Sequence, residues 1–169
     1  MIHQLKTELW VPRSIDEVWD FASDPQNLAG ISPPQHRVTV QGPALPSEGA
    51  EVHISLSPYG IPLKLSWVST LSSIVSTGNQ RRFIDIQSKG PFAYWKHSHI
   101  FEAGAEKMAG GRVPAELTLH KSGTWIKDEL EYSLPLGGLG QLAHRLFVRK
   151  SIEELFYYRT EALRKNFSV

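Results

Sequence analysis

Over much of this chain hydrophobic and polar residues alternate one by one; near its C-terminal end the spacing changes to three and four. Leu5, Thr7, Leu9 and Val11 set against Lys6, Glu8 and Trp10 predict a strand over Leu5–Val11, closed by Pro12. Ser14 is placed to cap a helix whose apolar face is Ile15, Val18, Trp19 and Ala22, with Asp16 and Glu17 in its first turn. Asp24-Pro25 signals a second short helix through Asn27, Leu28 and Ile31, ended by Pro33-Pro34. Further strands are predicted over His36–Gln41, Ala50–Ser57, Leu63–Val75, Arg81–Gln87, Ala93–Ala103 and Thr124–Leu134. The turns between them are Gly42-Pro43 to Gly49 and Thr77-Gly78-Asn79, and Pro135 stops the last strand.

From Leu139 to Phe167 the stripe Leu142, Leu146, Ile152, Leu155, Phe156, Leu163 and Phe167 predicts one helix of roughly 40 Å, bordered by Arg149, Arg159 and Thr160. A helix of that length must cross the whole molecule. The simplest architecture is α+β: a curved antiparallel sheet around the long C-terminal helix, with two short N-terminal helices, as one domain over residues 1–169. Gly104–Ser122 is long for a hairpin connection and contains Ala109-Gly110-Gly111 and an alternating run from Val113 to His120. It reads first as a surface insertion, otherwise as a lid or an extended hairpin. Gly137-Gly138-Leu139-Gly140 lacks the residues of a phosphate loop and reads as a strand-to-helix turn.

Candidate chemistry is concentrated in Ala93–Ala103. Trp95, His97, His99 and Phe101 share one face of that strand, and two imidazoles between two large aromatics describe a pocket wall rather than a solvent face. In the last strand Thr124, Ile126, Asp128, Leu130, Tyr132 and Leu134 share a face, while Lys127, Glu129 and Glu131 suit water. Phe83, Asp85 and Gln87 form a third inward row, in competition with Ile84 and Ile86. His97, His99 and Asp128 are therefore expected in one hydrogen-bonded network that extends to Asp85 or Tyr132, since a buried charge needs a partner. Trp67, Trp95 and Phe156 are expected to line a cavity of roughly 300–1,000 Å³, and Arg149 to border it. The other tryptophans read as core or surface-covering residues.

Three readings of the cluster remain open: a satisfied polar pair in a core, a polar patch in a ligand cavity, and a catalytic or metal site. Metal ranks last, because His-x-His supplies two ligands and only Asp128 or Asp85 is available to complete the set. No metal and no cofactor are expected. Nucleophilic catalysis lacks its residues: there is no cysteine and no Gly-x-Ser-x-Gly turn. Acid–base work by His97, His99 or Asp128 stays open.

Composition narrows the picture further. A net charge of +1 argues against a nucleic-acid partner. The absence of cysteine removes disulfide and thiolate chemistry. The N-terminal residues have no apolar signal core, and no apolar run approaches the roughly 20 residues that span a bilayer. A soluble cytoplasmic protein is expected, of oligomeric state left open.

The order of elements resembles the START-like superfamily, also called SRPBCC or the Bet v 1-like helix-grip fold. The resemblance rests on Val11-Pro12 with Ile15-Asp16-Glu17-Val18-Trp19-Asp20-Phe21 and Asp24-Pro25-Gln26-Asn27-Leu28. A bacterial branch of ligand-binding or cyclase/dehydrase-like proteins is resembled through Ile31-Ser32-Pro33-Pro34, Gly60-Ile61-Pro62-Leu63, Phe83–Gln87, Gly90-Pro91-Phe92 and His97-Ser98-His99-Ile100-Phe101. Further matches are Gly123-Thr124, Asp128, Tyr132, Pro135-Leu136-Gly137, Leu146–Arg149 and Phe156–Arg159, while Gly104–Ser122 departs from the branch's short turn. The resemblance implies a cavity between sheet and helix for a small hydrophobic or amphipathic ligand. Trp67, Phe83, Asp85, Gln87, Trp95, His97, His99, Phe101, Asp128, Tyr132, Arg149 and Phe156 are the expected ligand-binding set. A polyketide cyclase or dehydratase is the first alternative, and an interaction or stress protein with a filled cavity is the second. Fold alone does not choose among them.

Overall fold

The computed structural model describes residues 1–43, 47–57, 64–106 and 122–168. Strand β1 (His3–Val11) leads into helix α1 (Ile15–Ser23), which opens with a capping box: Ser14 Oγ accepts from Glu17 N, and the Glu17 carboxylate accepts from Ser14 N. Asp24 accepts from Gln26 N and starts the short 3-10 helix Pro25–Leu28. The expected strand from His36 begins later, as β2 (Thr39–Gln41). The prolines favour a 3-10 turn at Pro34–His36, and Arg37 leaves it with φ 44°, which breaks extended backbone.

Strands β3 (Glu51–Leu56), β4 (Leu65–Ser76), β5 (Gln80–Lys89), β6 (Tyr94–Ala105) and β7 (Ser122–Ser133) follow. With β1 and β2 they form one antiparallel sheet in the order β1-β7-β6-β5-β4-β3-β2. Register shifts between Val68 and Ser69 and between Leu71 and Ser73 bend β4 against β5 and curve the sheet. The long connection Gly104–Ser122 is described only at its ends; the Val113–His120 run and Gly60-Ile61-Pro62-Leu63 lie outside the described residues. Trp10 and Trp125 donate their indole N–H groups to Gly104 O and Ala105 O, fixing the end of β6.

The last helix is continuous and starts two residues before Leu139. It consists of α2 (Gly137–Ala143), a π turn (His144–Val148) and α3 (Arg149–Phe167). Its buried side corrects the expected stripe: Ile152, Phe156, Leu163 and Phe167 face the sheet, whereas Leu142 and Leu146 are 54% and 66% exposed. In the first turns Gly140 and His144 are buried instead. Gly140 meets the chain leaving β7 so closely that a Cβ there would lie 2.1 Å from Pro135 O. That approach rotates the leucines outward.

Two apolar clusters hold helix to sheet. One joins Leu9, Val11, Val18, Phe101, Leu163 and Phe167, and the other joins Trp95, Leu130, Tyr132, Ile152 and Phe156. On β6 the histidines lie between Trp95 of the second cluster and Phe101 of the first. They are thus built into the sheet between two packed ends.

Candidate functional site

Strand pairing brings the polar residues together. The register places His99 opposite Asp128, His97 opposite Asp85, and Thr7 opposite Asp128. His97 Nε2 and His99 Nδ1 lie 2.9 and 3.2 Å from the same atom, Asp128 Oδ1. Thr7 Oγ1 donates to Asp128 Oδ2 at 3.2 Å. A carboxylate only accepts, so both imidazoles point an N–H at Asp128. Their other nitrogens turn towards Asp85: His99 Nε2 lies 3.4 Å and His97 Nδ1 3.8 Å from Asp85 Oδ1. Ser69 Oγ donates to Asp85 Oδ2 at 2.7 Å, while Oδ1 is buried with no partner in hydrogen-bonding geometry among the described residues.

Apolar rings fix the imidazoles in place. Phe83 stacks on His99 with centroids 4.2 Å apart, and Phe156 meets His97 edge-on at 5.3 Å. Burial pushes the Asp128 carboxyl up, but hydrogen bonds and charge from His97 and His99 outweigh it and hold the group well below the usual carboxylate range. Asp85 is also lowered: burial opposes ionisation, and His99, His97 and Ser69 overcome it. Burial and the neighbouring His99 charge lower His97 despite Asp128 and Asp85. At His99 burial is outweighed by the two carboxylates, and its value is raised. One imidazole is thereby kept neutral beside one that favours its charge.

The cluster lies in the wall of a cavity of about 550 Å³ between the sheet and the long helix. Trp67, Phe83, Trp95, Phe101 and Phe156 line it together with Asp85, His97, His99 and Asp128. Trp67 stands 6.0 Å from Trp95, centroid to centroid, in this wall, and it also packs against the cluster of Val52, Ile54 and Leu71. Arg159 reaches the same cavity from α3, with its guanidinium 5.2 Å from the Phe156 ring and its Nε buried without a hydrogen-bond partner among the described residues. Burial lowers its value, and the charges of Asp128 and Asp85 partly restore it.

No family model and no curated protein matches the chain. Solved structures do. The major latex-like protein 151 of Panax ginseng matches with a TM-score of 0.62 and 11% identity, over 100% of this chain and 99% of that one. A point mutant of norcoclaurine synthase from Thalictrum flavum, in complex with a transition-state analogue, matches with a TM-score of 0.59 and 14% identity, over 99% and 98% of the two chains. Ara h 8.0201 matches with a TM-score of 0.57 and 11% identity, over 99% and 98%. The chain has the Bet v 1-like helix-grip fold.

Within this Bet v 1-like fold, three of the expected site residues stand away from the cavity wall. The Gln87 amide donates to Phe92 O at 2.9 Å and braces the turn before β6. Tyr132 does not join the histidine network; its hydroxyl pairs with His144 Nε2 at 2.9 Å. Arg149 is 68% exposed and pairs with Glu153 at 2.8 Å. Thr7, Ser69 and Arg159 take part without having been expected. Thr7 was readable from its place in the inward row of Leu5, Leu9 and Val11. Arg159 carried a signal as a charge interrupting an apolar stripe. Ser69 carried none, because the bulges of β4 reset its facing.

Proposed function

We propose that this protein binds a small hydrophobic or amphipathic molecule in the cavity between sheet and long helix. The carrying observation is the cavity itself: about 550 Å³, walled mainly by aromatic and aliphatic side chains, with the buried cluster of Asp85, His97, His99 and Asp128 in one part of its wall. Asp128 pairs with both histidines and Thr7 and so holds the rings in place, while Asp85 Oδ1 and Arg159 Nε are buried without a hydrogen-bond partner among the described residues, polar atoms that a bound molecule would meet. A volume of that size argues against the filled-cavity alternative. The test is native mass spectrometry of protein purified from its own host, with extraction of whatever co-purifies. An added mass that disappears on denaturation is expected. A protein that carries nothing and gives no fluorescence enhancement with a naphthalene-sulfonate dye sinks the reading.

One observation favours a second reading, an acid–base enzyme of the cyclase or dehydratase kind. His97 and His99 are adjacent on the cavity wall and are pushed towards opposite protonation states, the arrangement that supplies a base and an acid in one site. His97→Ala separates the two. Binding alone predicts a loss of affinity for the co-purified molecule of about 1–3 kcal/mol, the effect of leaving polar groups unpaired. Catalysis predicts lost turnover with binding largely kept.

A further inference from the structure

The nitrogen atoms that do not face Asp128 converge on a point. One donor atom each of Asp85, His97 and His99 lies within 4.8 Å of the other two. The edges that meet at Asp85 Oδ1 measure 3.4 and 3.8 Å. Around an ion with ligands at about 2.0–2.1 Å, tetrahedral geometry sets neighbouring ligand atoms about 3.3 Å apart, so a small inward movement brings the three into coordination distance. We propose that Asp85, His97 and His99 form a binding site for one divalent first-row transition-metal ion of the zinc class, with its remaining coordination positions open to the cavity.

Three features of the arrangement support this beyond distance. First, Asp85 Oδ1 is buried with no partner in hydrogen-bonding geometry among the described residues; His99 Nε2 lies nearest at 3.4 Å, and His97 Nδ1 faces it at 3.8 Å. Because His97 gives its proton-bearing nitrogen to Asp128, Nδ1 presents a lone pair. Two acceptors directed at each other across 3.8 Å repel, and a cation between them satisfies both. Second, Asp128 stands behind both imidazoles as the carboxylate that orients metal-binding histidines, and Thr7 and Ser69 in turn hold the two carboxylates. Third, the donor set is two nitrogens and one oxygen. That set suits zinc-like ions and disfavours magnesium and calcium, which prefer oxygen alone. The two carboxylates also balance the charge of a divalent ion. All three ligands sit on β5 and β6, paired neighbours inside the sheet, so the geometry is held by backbone rather than by a loop.

The test uses the full chain, treated with a chelator, dialysed, and titrated with cobalt(II) and then zinc(II). One equivalent of cobalt is expected to give visible d–d absorption, and one equivalent of zinc to abolish it. Calorimetry with zinc should show a single site. Asp128→Asn should weaken zinc binding by about 10–100-fold, the usual effect of removing an orienting partner. Asp85→Asn and His99→Gln should each weaken it further than that, and His53→Ala on the surface should leave it unchanged. Thermal melting establishes that each variant is folded, and His99→Gln carries the test should Asp85→Asn fail to fold. No cobalt absorption overturns the proposal. So does wild-type zinc affinity in a folded ligand variant, or equal binding of magnesium. None of these readouts depends on the identity of the cavity's organic ligand.

Discussion

At Asp128 one carboxylate serves three donors from two neighbouring strands: Thr7 on β1, and His97 and His99 on β6. Thr7→Val keeps the shape of the side chain and removes the only one of these donors that is not an imidazole. A buried acceptor left unpaired costs about 1–3 kcal/mol, so the urea midpoint of Thr7→Val should fall accordingly; an unchanged midpoint would remove Thr7 from the network. The facing of this site was legible in the sequence. Alternation in two strands put His97, His99 and Asp128 on one side, and the three do meet. What alternation leaves open is which strand lies beside which and in what register. Tyr132 was therefore as good a candidate for the network as Asp85, although the sheet places it four residues beyond Asp128 along β7, where it pairs with His144.

Among the elements, the long helix shows where pattern reading reaches its limit. Its length and continuity follow from the absence of proline, and its C-terminal half buries the expected residues. Its first turns do not, because a glycine with no hydrophobicity of its own sets their orientation. The same turns bury His144, which stacks on His3 with centroids 3.5 Å apart and hydrogen-bonds the Tyr132 hydroxyl. Burial, then His3 and Arg149, lower the His144 value, and Glu153 raises it only in part. The unfolded chain therefore takes up this proton more readily than the folded one. Stability from His144 is complete above the ordinary histidine value of about 6.5 and is lost as pH falls from there towards the lowered folded value. Between pH 7.5 and 5.5 the His144→Gln variant should lose less stability than the wild type, read from denaturant midpoints; equal losses would refute the assignment. Two further outcomes belong to this scale. A chain ended at Gly138 loses the helix that covers both apolar clusters and should show no cooperative melting. Gly123→Ala should cost about 1–3 kcal/mol as an overpacked contact, because its Cβ would lie 2.3 Å from Val11 O and 2.4 Å from the Trp10 ring.

For the molecule as a whole, α+β class, curved sheet and gripping helix were all predicted by counting periods, since each period belongs to one backbone geometry. A pocket wall was readable from the aromatic and imidazole face of β6, but the size of the cavity was not obtainable that way. It depends on how far the helix stands from the sheet and on the curvature of the sheet, and the register shifts of β4 that bend it have no hydrophobic signature. Among the described residues, no helix is long and apolar enough to cross a membrane.

The order of the sheet also imposes an order in time. β1 is made first on the ribosome, yet its one partner in the sheet is β7, and Thr7 and Asp128 are 121 residues apart in the chain. Until β7 emerges, β1 has no described strand to pair with, and its apolar row of Leu5, Leu9 and Val11 lacks the residues of β7 and the long helix that complete its cover. Contacts of such long separation slow folding and leave a strand edge open to misassembly. Nascent chains arrested before β7 should thus hold Leu5–Val11 accessible to protease or to a chaperone, and chains arrested after Phe167 has cleared the exit tunnel should not. The polar cluster, which needs residues from both ends of that interval, is then among the last parts of the protein to exist.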